Sequence, residues 1–284
     1  PEERLATAYQ ALRADLQADL IEQVKSASPH FFERLVVDLL LARGARVAAI
    51  DINQAYLEET AAKAGDMKDK LSIHVVDITN KQAVEALPEQ VIAQHEAVDG
   101  LINVAGIIQP FVRFKDLEYR AIDRVMNVNF NGALYLTKAF LPYFLERPEA
   151  HIAHVSSMGG FLPVPGQTVY GASKAAVKLF TEGLHSELAD TNVRVTVIFP
   201  GAVSTNITSN SGVGGSLDIK TPEESSFKML EADKAAEMIV DGIERNAYRI
   251  LVGQDARMMD LLYRLNPKNA AGLIYKQMKS LLPN

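Results

Sequence analysis

Apolar positions along the chain follow two rhythms. Up to residue 43 they recur at spacings of three and four: Leu5, Tyr9, Leu12, Leu16, Leu20 and Val24, then Phe32, Leu35, Val36, Leu39 and Leu40. Each set draws one apolar stripe along a helix. Ser28-Pro29 between them reads as an N-cap followed by proline at the first helical position. Gly44, the first glycine of the chain, ends the second helix. From there, short runs that are apolar at nearly every position alternate with longer amphipathic stretches. The runs predict strands over 46–51, 71–77, 100–104, 151–156, 193–199 and 249–252. The stretches predict helices near 54–64, 81–95, 118–145, 169–190, 233–246, 255–264 and 270–282. Strands apolar on both faces and separated by helices imply a parallel sheet covered on both sides, an α/β fold of the doubly wound kind. No internal repeat is visible. Residues 206–226, with "SNSGVGGS" inside them, are rich in Gly and Ser and predict a mobile stretch.

Composition narrows the function classes. With 284 residues, 48% of them hydrophobic, the chain has material for a sizeable core. A net charge of −6 with dispersed basic residues gives no support to binding nucleic acid through its phosphates. No apolar run approaches the ~20 residues that span a bilayer, and no signal peptide is visible, so a cytoplasmic protein is the expectation. The absence of cysteine excludes disulfides and thiolate metal sites. The six histidines show no metal-ligand spacing.

The chemistry gathers after the predicted strands. Tyr170 and Lys174 stand four apart in "YGASK", on one face of a predicted helix. An ammonium beside a phenol favours the phenolate, and such a Tyr can exchange a proton with a substrate oxygen. "HVSSMGG" places Ser156 and Ser157 at the carboxyl edge of the sheet, where ligands of open α/β sheets bind. "INVAG" ends another strand with Gly106 where backbone comes close to something. "MNVNFNG" puts Asn127, Asn129 and Asn131 in a predicted long helix, although Asn forms helix poorly. "FPGAVST" sets Pro200-Gly201 just past a third strand. Each is ordinary alone, and their meeting on one sheet edge is not.

Residues from about 42 to 284 resemble the short-chain dehydrogenase/reductase family through "NVAG", "NVNFNG", "VSS" followed by "YGASK", and "PGAVST", in that order. The resemblance implies a Rossmann-like sheet and an oxidoreductase moving hydride between a nicotinamide cofactor and a secondary alcohol or ketone. It implies Tyr170 as general acid/base, Lys174 as its activator and a ligand of the nicotinamide ribose, Ser157 as the donor to the substrate oxygen, and Asn129 as a link in a proton relay. Pro200, Gly201, Val203 and Thr205 would flank the nicotinamide. Asn103, Ala105 and Gly106 would line the adenosine side, with Asp77 and Ile78 at the adenine. It also implies a homodimer or homotetramer. Asp51 ends "RVAAID", where a carboxylate can accept both hydroxyls of the adenosine ribose and would repel a 2′-phosphate. NAD is therefore expected over NADP. Asp51 also serves as a candidate N-cap for the helix after it.

One part of the family pattern is missing. Counting back from Asp51, the turn Thr-Gly-x-x-x-Gly-x-Gly should fill 26–33, where "SASPHFFE" stands. Those glycines let backbone approach the pyrophosphate at a helix N-terminus. The strand before the turn is missing too, leaving two lanes unpaired unless the neighbours close up or another element fills the gap. Residues 1–42 instead resemble the helical lead-in of Mrr-type restriction endonucleases. Such a nuclease needs a Glu- or Gln-x-Lys. No Glu-x-Lys occurs, and Gln23-Val24-Lys25 falls on a predicted helix. The expected organisation is a helical segment over 1–43, joined near Ala42-Arg43 as in a chimeric gene, and a dehydrogenase domain over 44–284. Two readings stay open: an NAD-dependent enzyme with its binding weakened by the missing turn, or a scaffold that keeps the catalytic residues without holding NAD. Tyr263, Leu265 and "LIYKQMKSLL" add apolar faces, either over the substrate pocket or against a second subunit.

Overall fold

A computed structural model describes residues 31–203, 211, 230–279 and 282. The helical stripe over 5–24, the Ser28-Pro29 cap, Gln23-Val24-Lys25, Thr205 and nearly all of 206–226 lie outside them. The elements run α1 (Phe31–Ala42), β1 (Val47–Asp51), α2 (Gln54–Lys63), β2 (Leu71–Val75), α3 (Lys81–Glu85), α4 (Leu87–His95), β3 (Gly100–Asn103), α5 (Tyr119–Met126), α6 (Gly132–Leu145), β4 (Ala150–Val155), α7 (Thr168–Glu187), β5 (Val193–Pro200), α8 (Ala232–Glu244), β6 (Arg249–Val252), α9 (Gln254–Leu265) and α10 (Pro267–Met278). Every strand pair is parallel. This is the expected α/β arrangement, six strands at the expected places.

Two cores explain why the strands are apolar at successive positions. On one face Val84, Leu87 and Val91 of α3 and α4, Leu136, Phe140 and Phe144 of α6 and Leu184 of α7 close over Leu101, Ile152, Val193 and Val195. On the other, Val36 of α1 and Ala235, Ala236, Ile239 and Val240 of α8 close over Ala153, Val155, Ile198, Ile250 and Val252. Ile152 and Ala153, adjacent on β4, face opposite cores, as the two-residue strand period requires. Burying each large side chain contributes roughly 1.5–3 kcal/mol. Helix α1 belongs to this fabric: Leu41 is buried, and Arg43 just past its end bridges to Asp241 (2.5 Å) and Glu244 on and at the end of α8.

The sheet departs from an unbroken order. β1 pairs with β2, and β3-β4-β5-β6 form a second ladder; among the described residues no strand pairs with the other edge of β1 or β3. The two flanking strands therefore do not close up into one ladder.

Two predicted helices are broken, for identifiable reasons. The stretch 81–95 divides at Ala86, because Pro88 has no N–H to continue the ladder. The stretch 118–145 divides at Asn127–Asn131, a single π-helical turn between α5 and α6. The three asparagines that fitted a regular helix poorly mark that turn. Strand β2 stops at Val75, short of the predicted end at Asp77, whose Oδ1 accepts from the backbone N–H (2.9 Å) and hydroxyl (2.7 Å) of Thr79 in a turn. The cap of α2 is Asn53, whose side chain accepts from Ala55 N, rather than Asp51.

His154 on β4 makes stability depend on acid. It is 0% exposed. Thr137 Oγ1 gives its only proton to the Ala133 carbonyl (2.7 Å), so toward His154 Nε2 at 3.0 Å it accepts. The imidazole is then the neutral Nε2–H tautomer, and its Nδ1 meets no partner among the described residues. Burial first, and then the charge of Lys174, pull its pKa down from 6.5 to about 4. The unfolded chain holds the extra proton between those values, so stability falls as pH drops through that window. From about pH 6.5 to about pH 5 His154 is expected to remove about 2 kcal/mol. Urea midpoints over this range should fall in the parent chain and fall less in His154→Gln. His74, His95 and His151, also lowered by burial, contribute to the slope of both proteins.

Candidate active site

The strand ends set the site. β3 stops at Asn103 opposite His154, β4 at Val155 opposite Ile198, and β5 at Pro200 opposite Val252, so their carboxyl ends form one rim. Ser156 and Ser157 follow β4 on that rim. Ser156 Oγ donates to the Lys174 carbonyl (2.7 Å), tying the strand end to the second turn of α7. Ser157 caps the short 3-10 turn Met158–Gly160, its Oγ accepting from Gly159 N at 3.0 Å. The turn presses flat on α7. A Cβ on Gly160 would lie 2.9 Å from the Lys174 carbonyl oxygen and 2.7 Å from Ser156 Oγ, so only glycine permits this approach.

Tyr170 and Lys174 lie one helical turn apart on α7, as their spacing requires. Burial pushes the Tyr170 phenol above its ordinary value, and a hydrogen bond with the Ser157 side chain partly offsets that. Lys174 is 3% exposed, its Nζ donates to the Val155 carbonyl (2.9 Å), and burial pulls its pKa down to about 8. It also lies close to Gly106, where a Cβ would stand 2.8 Å from Nζ and 3.7 Å from Asn129 Oδ1.

Asn129, 1% exposed, projects from the π turn. Its Oδ1 accepts from Ile107 N (2.8 Å), and its Nδ2 donates to the Ile107 carbonyl (2.9 Å) and to Ser173 Oγ (2.9 Å). It thus joins the loop after β3 to α7 by side-chain bonds. The structure brings Ser157 to Tyr170 and Gly106 to Lys174, and ties Asn129 to α7 through Ser173.

The remaining predicted residues spread along the same edge. Asp51 ends β1; its Oδ1 accepts from Asn53 N at 2.7 Å, and neighbouring Ile52 is exposed. Asn103 is buried at the end of β3, with Ala105 and Gly106 following. Asp77 sits exposed in its turn. Ile78 packs into the core, leaving no room for a Cβ on Gly132. Gly201 N donates to the Val252 carbonyl (2.9 Å), and Val203 bridges to Leu230. Tyr263 packs on Phe161, ring centroids 6.2 Å apart, whereas Leu265 is exposed.

Sequence reasoning missed three residues that hold this group. Asp255, in the first turn of α9, accepts from Ala202 N (2.6 Å) and leaves no space beside Gly201, where a Cβ would meet its carboxylate at 2.3 Å. It pins the turn after β5. Ser173 relays Asn129 to the Tyr170 carbonyl (2.7 Å). Gln109 reaches the start of α7. The acid after a strand-glycine turn was a legible signal for Asp255; nothing local marked the other two.

A family model described as short chain dehydrogenase matches residues 33–213, beginning within α1. The Mycobacterium tuberculosis protein SadH is 32% identical over 231 residues, covering 80% of this chain and 83% of its own. Among solved structures, a Burkholderia phymatum short-chain dehydrogenase/reductase in complex with NAD superposes with a TM-score of 0.72 at 23% identity, over 82% of this chain and 90% of that one. A Burkholderia cenocepacia short-chain dehydrogenase in complex with NADP gives 0.70 at 22%, over 86% and 92%. Both structural likenesses speak to the fold alone. Among the described residues, no group of His, Cys, Asp or Glu could hold a metal ion, and no helix is long and apolar enough to cross a membrane.

Proposed function

We propose, since the chain belongs to the short-chain dehydrogenase family, that it transfers hydride between a nicotinamide cofactor and a secondary alcohol or ketone, with Tyr170 handling the proton. The observation that carries this reading is that, at the carboxyl rim of the sheet, Ser157 meets Tyr170, Ser173 links Asn129 to the Tyr170 carbonyl, and Lys174 lies beside Gly106.

The donor set fits the cofactor at two of its three parts. Lys174, buried beside Gly106 and the end of β4, would hold the nicotinamide ribose, with Pro200, Gly201 and Val203 beside the ring. Asp51 at the end of β1, with exposed apolar Ile52 next to it, would take the adenosine ribose hydroxyls and disfavour a 2′-phosphate, which supports NAD over NADP. Asn103, Ala105, Asp77 and Ile78 would line the adenine side. At the pyrophosphate, residues 1–43 contain no glycine, so any hold there lacks a glycine cradle.

When bound, the nicotinamide supplies or accepts the hydride at its C4. The protein does the rest. Ser157 donates to the substrate oxygen and fixes it beside the phenol. Tyr170 gives its proton to a developing alkoxide, or takes one from an alcohol, through that oxygen. The ammonium of Lys174, with its pKa near 8 and one helical turn from Tyr170, would hold the ribose and stabilise negative charge on the phenol. Asn129 holds the loop that carries Gly106 against Lys174 and is the proposed link for proton exchange with solvent. Oxidation of NADH, followed by absorbance against a panel of ketones, tests the reading, together with calorimetric titration of NAD and NADP. Turnover of at least one ketone, with NAD binding in the micromolar range and tighter than NADP, is the expected result. No turnover and no saturation at millimolar cofactor would leave only the scaffold.

A further inference from the structure

The helix that bears the phenol is capped from outside its own sequence neighbourhood. In the first turn of an α-helix the backbone N–H groups have no intrahelical acceptor. For α7, which begins at Thr168, the first backbone bond back into the helix start is Gly171 N to the Gln167 carbonyl (2.8 Å). The N–H groups of Val169 and Tyr170 must therefore find acceptors elsewhere. Gln167, at the N-cap position, supplies none from its side chain.

Gln109 supplies both. It lies six residues beyond β3 and is 0% exposed. Its Oε1 accepts from Val169 N (2.8 Å) and from Tyr170 N (3.0 Å). Its Nε2 donates to the Gly166 carbonyl (3.0 Å), and its backbone carbonyl accepts from Gln167 Nε2 (2.8 Å). One carboxamide thus closes the start of the helix and fixes the residue that precedes its cap. The loop that presents Gln109 is itself fastened, two residues earlier, by the paired bonds between Asn129 and Ile107, and at Ile108 by its N–H to Ser211 Oγ (2.8 Å).

We propose that Gln109 is the positioning residue for Tyr170: by accepting from the N–H of that very residue, it sets where the phenol stands relative to Ser157. This rests on the reading of Tyr170 as the proton-handling group. The position of a first-turn residue is fixed by what its N–H meets, and here that partner comes from the loop that also reaches Asn129. The proton donor and the proposed relay residue are thus placed by one continuous set of bonds. A misplacement of about 1 Å at a reacting group costs on the order of 10²-fold in rate.

The test separates positioning from packing with two substitutions of similar volume. Gln109→Glu keeps an acceptor oxygen for the two amides but buries a charge and loses the bond to Gly166. Gln109→Met keeps an apolar filling and loses the acceptor. Packing alone would favour Met. Positioning favours Glu. The readouts, on the full chain, are kcat and KM for the ketone reduced best, and titration of the Tyr170 phenol by NMR of tyrosine labelled at Cζ, assigned with Tyr170→Phe. Expected is a Q109E protein with the parent's phenol titration and kcat within a few fold. In Q109M, kcat falls by about 10²-fold with KM little changed, and the phenol moves down toward its ordinary value near ~10 as the first turn loosens and exposes it. If Q109M does not fold, Gln109→Asn, one methylene too short to reach both amides, takes its place with the same expectation. Equal behaviour of the two variants, or better function in Q109M than in Q109E, overturns the proposal. The phenol titration needs no turnover, so failure of the oxidoreductase reading is seen separately, as ketone reduction that Tyr170→Phe leaves unchanged.

Discussion

Replacing Tyr170 by Phe is expected to lower kcat for ketone reduction by about 10²–10⁴-fold, the range that general acid–base catalysis contributes, while NAD affinity changes little. The ring of Phe fills the same space beside Gly159, where the Tyr170 ring already stands within 3.2 Å of a Cβ position. Only the hydroxyl and its hydrogen bond with Ser157 are lost. Lys174, which would hold the ribose, is anchored to Val155 and not to the phenol, so its place does not depend on Tyr170. Steady-state kinetics beside calorimetric NAD titration check both halves. Unaltered turnover would remove Tyr170 from the chemistry. A large loss of NAD affinity would mean that the ring holds the cofactor rather than the proton.

The second large effect concerns the other end of the cofactor. Exchanging residues 18–33 for a β-strand and a Thr-Gly-x-x-x-Gly-x-Gly turn is expected to tighten NAD binding at least tenfold, about 1.4 kcal/mol or more. The argument has two parts. A glycine turn lets backbone N–H groups at a helix N-terminus approach the pyrophosphate, and residues 1–43 contain no glycine with which to do so. A strand placed between β1 and β3 would also join two ladders that, among the described residues, are separate. That would hold Asp51, on one ladder, at a fixed distance from Lys174, beside the other. An unchanged dissociation constant in the exchanged protein would show that the phosphates are held in another way.

What the sequence made legible follows from physical range. The strands were readable because residues such as Ile152 and Ala153 face separate cores, which forces apolar side chains onto consecutive positions. That Tyr170 and Lys174 share a helix, and that Ser157 follows a strand end, was readable because spacing and strand pattern are local. The strand end at Val75 was misplaced because Val76 is apolar, while the turn is made by Asp77 reaching Thr79. The start of α10 at Pro267 could have been read from Asn266-Pro267, an N-cap and a first-turn proline. Gln109 was beyond reach: its partners are backbone amides some sixty positions away, and backbone carries no residue identity. The bond from the Lys174 ammonium to a carbonyl at the end of β4 was beyond reach for the same reason, its partner being backbone.

The π turn at Asn127–Asn131 has a bearing on how such a chain can change over generations. It winds one residue more than a regular turn would, so α5 and α6 meet the molecule at different rotational phases: Val125 on one side and Ala133, Leu136 and Phe140 on the other all face inward across it. Exchange of residue type can be absorbed at exposed Asn127, whereas buried Asn129, with its bonds to Ile107 and Ser173, is held to its identity. Loss of one position would swing the whole of α6 through about 100° relative to α5, turning its inward stripe to water and carrying Asn129 away from Ile107. Drift in length is therefore closed to this stretch, even where drift in letters is open.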